Sequence, residues 1–171
     1  MEYTKEERLE FAKNNKEKWI GNEIGDNCSF HPTAIIGNDG FGFARDTDGS
    51  LIKVNHASNV IIGNNVEIRA YVTIDRGVIN PTIIGEGNKF DYKVHVAHNV
   101  KIGKNNTLAA HTIIEGSCVV GDNNTFGAGV IVQRKVIIGS NNIFGSGCVV
   151  TKDVGDNCVM VGNPARKLRD V

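Results

Sequence analysis

From Ile84 onward, every sixth residue is apolar. The series runs Ile84, Phe90, Val96, Ile102, Leu108, Ile114, Val120, Phe126, Val132, Ile138, Phe144 and Val150 without a gap. A period of eighteen lies over it: Ile84-Gly85, Ile102-Gly103, Val120-Gly121 and Ile138-Gly139 recur, as do Asn88, Asn106, Asn124 and Asn142. A helix repeats near 3.6 residues and a strand at 2, so neither yields a six nested in eighteen. A triangular coil does. Each hexad makes one side, three sides close a turn, and turns stack about 4.8 Å apart through parallel backbone hydrogen bonds. The pattern predicts an all-β parallel β-helix, a solenoid of hexapeptide repeats.

In such a coil the first residue of each hexad points to the axis and stacks on its counterpart one turn away. Small or β-branched residues four places on also point inward. The Asn repeat reads as a ladder of amides at one corner, part of the fold and not of the chemistry.

Taken in order, the chain begins with a capping box, Thr4 and Glu7, ahead of a short helix that would cover the open first coil (residues 1–19). The coils span 20–155, starting with Ile24, Phe30 and Ile36. Two departures break the phase. From Ile36 to Ile62 is 26 residues, eight more than a turn, with turn chemistry at Asp46, Asp48 and Gly49; from Ile62 to Ile84 is 22, four more. These insertions, near 41–58 and 75–82, can only bulge outward, where solenoids commonly bind ligands. Residues 156–171 lose the period and read as a short tail or helix start.

Charge and cysteine content narrow the classes. Nineteen basic residues balance nineteen acidic ones, so no net field draws nucleic acid or an anionic membrane. No eighteen-residue apolar run occurs and the start does not resemble a signal peptide, so the expectation is a cytoplasmic protein with no membrane insertion. Cys28, Cys118, Cys148 and Cys158 lack metal-type spacing and read as buried thiols in a reducing compartment. His95, His98 and His111 are the only histidines near enough in phase to consider for zinc, and their directions should diverge, so no metal is expected. A general base assisted by a carboxylate suits FDYKVHVAHN better, with His98 as the base and Asp91 as its partner.

The hexads from residue 24 resemble the hexapeptide-repeat acyltransferases, whose β-helix is left-handed. More narrowly, AIIGNDGFGFA (34–44), VIIGNNVEI (60–68), TIDRG (73–77), TIIGEGNKFD (82–91) and VAHNVKIG (96–103) resemble the UDP-3-O-acylglucosamine N-acyltransferases, including both irregular insertions. The resemblance implies a homotrimer with active sites between subunits. It implies His98 as general base toward the substrate amine, Asp91 orienting it, and Phe41, Phe43, Asp75 and Arg76 bordering the sugar.

Three features depart from that family. About twenty residues precede the coils where it has a uridine-binding domain, Lys135 stands where it has a second functional His, and its helical extension for a carrier-bound acyl donor is not matched. GNPARKL at 162–168 instead resembles the ending of small acetyltransferases. These departures point to an N-acetyltransferase moving acetyl from acetyl-CoA to a nucleotide-linked amino sugar. On that reading the Gly116 N–H, one turn above His98, faces the oxyanion, and Arg134, Lys152 and Arg166 hold the donor. Alternatives are a UDP-3-O-acylglucosamine N-acyltransferase-like enzyme with an acyl-carrier-protein donor, a non-catalytic trimeric binding or scaffold protein, and a zinc hydratase.

Overall fold

The computed structural model describes residues 21–171, so the expected N-terminal helix (1–19) lies outside the described residues. Short strands form three stacked parallel sheets, one per side of a triangular left-handed coil. The first face holds six strands, from Glu23–Ile24 to Ile137–Ile138, and the third face six, from Ile35–Asn38 to Val149–Val150. The second face begins with Ser29–Phe30 and gains two closing strands at its far end. Partners along the regular faces are eighteen residues apart, as in Lys101 with Val119, Thr107 with Thr125 and His95 with Ile113.

The sixfold apolar series is the core. Ile84, Ile114, Phe126 and Val132 are at most 1 % exposed, and Phe126 stacks on Phe144 with centroids 4.7 Å apart. Each such burial contributes about 1.5–3 kcal/mol. The fifth hexad position also points inward, as Val94, Val100, Cys118, Val130 and Cys148 show. At the corner leaving the first face this inward position is Cys28 and Val66 in the first two turns and Asn from Asn88 to Asn142, where the amides form the expected ladder. The Asn106 backbone N–H and Nδ2 both donate to Asn88 Oδ1 (2.8 and 3.0 Å), and Asn124 repeats the pattern on Asn106. The preceding residue at this corner is left-handed, with φ of 55° to 59° at Asn65, Asn105, Asn123 and Asn141. Asparagine tolerates that region better than other non-glycine residues. The Asn-Asn doublet therefore combines a turn residue with a buried hydrogen-bonding one.

Residues 156–171 differ from the tail or helix start that their lost period suggested. Cys158–Val161 runs parallel to Ile143–Phe144, and Arg166–Asp170 returns antiparallel to it. Cys158, Val159 and Met160 are buried, and the Cys158 N–H donates to Asn142 Oδ1 (2.8 Å). The hairpin thus closes the coil by extending both its core and its ladder, with an offset of sixteen residues in place of eighteen.

Candidate active site

Both insertions leave the coil at the same corner, between the third face and the first. The longer one follows Ile35–Asn38 and contains an antiparallel hairpin, Phe43–Arg45 with Leu51–Lys53. Its turn forms at the expected residues: the Gly49 N–H donates to Asp46 O (3.1 Å), and the Ser50 N–H to Asp48 Oδ1 (2.9 Å). The shorter one follows Thr73–Asp75 and packs on the first: the Ala57 N–H donates to Val78 O (3.0 Å), and the Ser58 N–H to Gly77 O (3.1 Å). Together with the regular turns farther along the same corner they enclose a groove of roughly 1090 Å³.

His98 sits in this groove, and its tautomer follows from its neighbours. Asn99 takes the left-handed position of the turn (φ 61°). Its Nδ2 donates to Asn80 O (2.7 Å) and its Oδ1 accepts from the Val78 N–H (3.2 Å), which fixes the amide's orientation. That oxygen lies 3.0 Å from His98 Nδ1. An amide oxygen only accepts, so in the neutral ring Nδ1 carries the proton and Nε2 keeps its lone pair. Gly116 lies one turn on, where a Cβ would come within 2.9 Å of His98 Nε2. Its missing side chain leaves room for the ring, and among the described residues its backbone N–H donates no hydrogen bond.

Other titratable groups converge here. Asp75 is buried, and burial raises its carboxyl above the usual carboxylate range against the pull of His95, His98 and Lys53. His95 Nε2 stands 3.8 Å from Asp75 Oδ2, and His95 Nδ1 lies 2.7 Å from Thr73 Oγ1. His56, carried by the longer insertion, is 1 % exposed and meets the His98 ring edge to face at 5.1 Å. Burial first, then the charges of His98 and Lys53, depress it to about 4. Among the described residues no three His, Cys, Asp or Glu side chains converge as a metal would require.

Of the residues singled out from sequence, Phe41, Phe43, Asp75, His98, Gly116 and Arg134 line this groove. Four do not. Asp91 lies at the preceding corner, 3.6 Å from Arg69, so within one protomer it does not reach His98. The reason is geometric: only steps of eighteen stack, and a step of seven moves to the next corner. Within this protomer the oxygen beside His98 Nδ1 is that of Asn99 and not a carboxylate of Asp91. Arg76 is held by Gly37 O (2.6 Å) and Asp39 (3.3 Å). Lys152 falls outside the groove, and Arg166 lies on the closing hairpin. His56, His95, Asn99 and Glu115 line the groove without having been singled out as site residues. Asn99 was legible, because an Asn at a left-handed corner has its amide free to bond the preceding side chain.

The fold and repeat define an architecture, a left-handed β-helix of hexapeptide repeats. The bacterial transferase hexapeptide (six repeats) family matches residues 81–116 and 117–152. The UDP-3-O-acylglucosamine N-acyltransferase of Polynucleobacter asymbioticus is 51 % identical over 85 residues, which cover 48 % of this chain and 24 % of that protein. The chain thus matches about a quarter of the length of that relative. The crystal structure of the UDP-N-acetylglucosamine O-acyltransferase from Moraxella catarrhalis superposes with a TM-score of 0.80 at 25 % identity, covering 88 % of this chain and 56 % of that one. A perosamine N-acetyltransferase from Caulobacter crescentus, solved with CoA and GDP-perosamine, shares the fold (TM-score 0.66, 23 % identity, 86 % and 58 % covered).

These findings overturn the acetyl-CoA reading. The sequence similarity is to acyltransferases of UDP-linked glucosamine, while the acetyltransferase shares the fold alone. The residues that had suggested a CoA site serve the closing hairpin: Gly162 O accepts from the Val149 N–H (3.0 Å), and the Ala165 N–H donates to Val149 O (2.8 Å). Among the described residues no helix is long and apolar enough to cross a membrane.

Proposed function

We propose that the groove transfers an acyl group from a carrier-protein-bound thioester to the amino group of a UDP-linked, 3-O-acylated glucosamine. One observation carries the reading. His98 presents an Nε2 lone pair to the groove, its proton held on Nδ1 by Asn99, within a stretch similar to the N-acyltransferases of that sugar. Imidazole accepts and returns a proton readily near neutral pH.

The amine nitrogen attacks the thioester carbonyl carbon and forms the C–N bond, and its proton passes to His98 Nε2. Negative charge gathers on the carbonyl oxygen, which faces the Gly116 N–H. The C–S bond then breaks, the sulfur takes the proton from His98, and the carrier leaves as a free thiol. Asp75, Phe41 and Phe43 border the sugar, and Arg134 faces the donor.

The working unit is a homotrimer. Val119 and Ile137 on the first face are 41 % and 53 % exposed, and Ile113, Ile131 and Val149 flank the same corner on the third. Neighbouring copies would cover this apolar surface and close the groove. Mass spectrometry of the product tests the activity. The purified protein should convert UDP-3-O-acylglucosamine and an acyl carrier thioester into the N-acylated sugar, and acetyl-CoA should yield none. No product with any carrier-bound chain length contradicts the reading.

A further inference from the structure

His56 is unlike the other polar groups of the groove. Its Nδ1 lies 3.0 Å from Val54 O, and because a carbonyl accepts, this nitrogen carries the proton. Nε2 is therefore a bare lone pair, and it is buried without a hydrogen-bond partner. An orphaned acceptor is costly, and most buried polar side chains avoid it. Here it belongs to a ring packed against the proposed base, in a segment that exists only because the coil is interrupted. Gly40 lies against both rings: a Cβ there would come within 2.8 Å of His56 Nε2 and 3.1 Å of His98 Cδ2. Position 40 thus has no room for a side chain beside Nε2, and displacement of this peptide is what would open Nε2 to a donor.

Hydrogen-bond counting identifies the donor. A primary amine brings two N–H bonds to the site, whereas a hydroxyl brings one O–H. His98 Nε2 takes one hydrogen in either case. We infer that His56 is a specificity-determining residue whose Nε2 accepts the second N–H of the attacking amine, so that the groove selects an amine over a hydroxyl as nucleophile. The inference rests on the acyl-transfer reading above. Two acceptors also orient the nitrogen, directing its lone pair at the thioester carbon. A hydroxyl nucleophile leaves the buried Nε2 unpaired, and sites built to bond a substrate N–H or O–H reject analogues that lack it. Burial and the neighbouring charges keep His56 neutral above its depressed value of about 4, the form that can accept.

The test compares UDP-3-O-acylglucosamine with its 2-hydroxy counterpart, UDP-3-O-acylglucose, in wild type, His56→Leu and His56→Gln, with melting curves to establish folding. His56→Leu removes the acceptor and should lower the amine-to-hydroxyl ratio of kcat/KM by roughly tenfold to a hundredfold. His56→Gln keeps an acceptor oxygen and should recover much of that preference. A folded His56→Leu protein with the wild-type ratio overturns the inference. If the wild type acylates neither sugar, the acyl-transfer reading has failed, and histidine ¹⁵N NMR of the wild type decides this one separately. UDP-glucosamine, and not UDP-glucose, should then move the His56 Nε2 signal, and a signal that neither sugar moves overturns it.

Discussion

Two regions of this molecule are built from the same hexads and do different work. From Ile84 to Val150 the period never slips, and each side chain's place follows from its position in the six. Positions one and five are core, and the amide ladder and left-handed turns mark one corner. At the corner between the third and first faces the period breaks twice in the early coils, at 39–59 and 76–81. Those two breaks, facing regular turns at the same corner, make the groove. Regularity supplies a rigid edge of known spacing, and irregularity supplies side chains that no hexad places, above all His56.

The contrast can be broken from either side. In the regular region, Phe126→Ala should cost about 3–5 kcal/mol, because a stacked ring is lost from the narrow axis. Chemical denaturation measures it, and the folded fraction should retain the groove's turnover. The interrupted region should show a pH signature instead. His56 has an ordinary value of 6.5 when unfolded and about 4 when folded, so the unfolded chain binds the extra proton between them. Stability is therefore present above pH 6.5 and is lost as pH falls through 4, by an amount on the order of 3 kcal/mol. His56→Gln should flatten that loss in melts run from pH 7 to pH 4.

Gly116→Ala reverses the Phe126 result. Gly116 is not among the positive-φ residues, so alanine suits its backbone, yet the added Cβ meets the His98 ring at 2.9 Å. Stability should hold while turnover falls about a hundredfold, the scale of a reacting group displaced by an ångström. The smallest effect should come from the ladder. Asn106→Ala leaves the buried Asn124 backbone N–H without its acceptor, at roughly 1–3 kcal/mol, while Asn124 Nδ2 keeps its bond to Gly139 O. A neutral result there would mean that the stacked backbone alone sustains the coil.

Sequence disclosed most where the period was intact. The inward series from Ile84, the Asn ladder and the location of both insertions followed from counting, because an eighteen-residue step is a physical contact. The same rule paired His98 with Gly116 correctly. The expected pairing of His98 with Asp91 broke that rule, since a step of seven changes corner. Counting has no purchase inside an insertion, and so His56 gave no signal. Its position depends on how a hairpin folds back, a question of tertiary packing and not of period. The closing hairpin was illegible for a related reason: its strand pairs with an offset of sixteen, and Arg166–Asp170 runs against the direction of every coil. The donor could not be read from GNPARKL, because those residues end a coil whatever the coil does.

On the proposed mechanism the interrupted corner carries the chemistry through His98. The most direct measurement is the rate of acyl transfer from a carrier-bound thioester to UDP-3-O-acylglucosamine by His98→Ala and wild type, with the melting temperature of each. The predicted result is a loss of about 10²–10⁴ in turnover with melting unchanged, the range expected for a general base. A folded His98→Ala protein that turns over at the wild-type rate would contradict the account and move the proton transfer away from this corner.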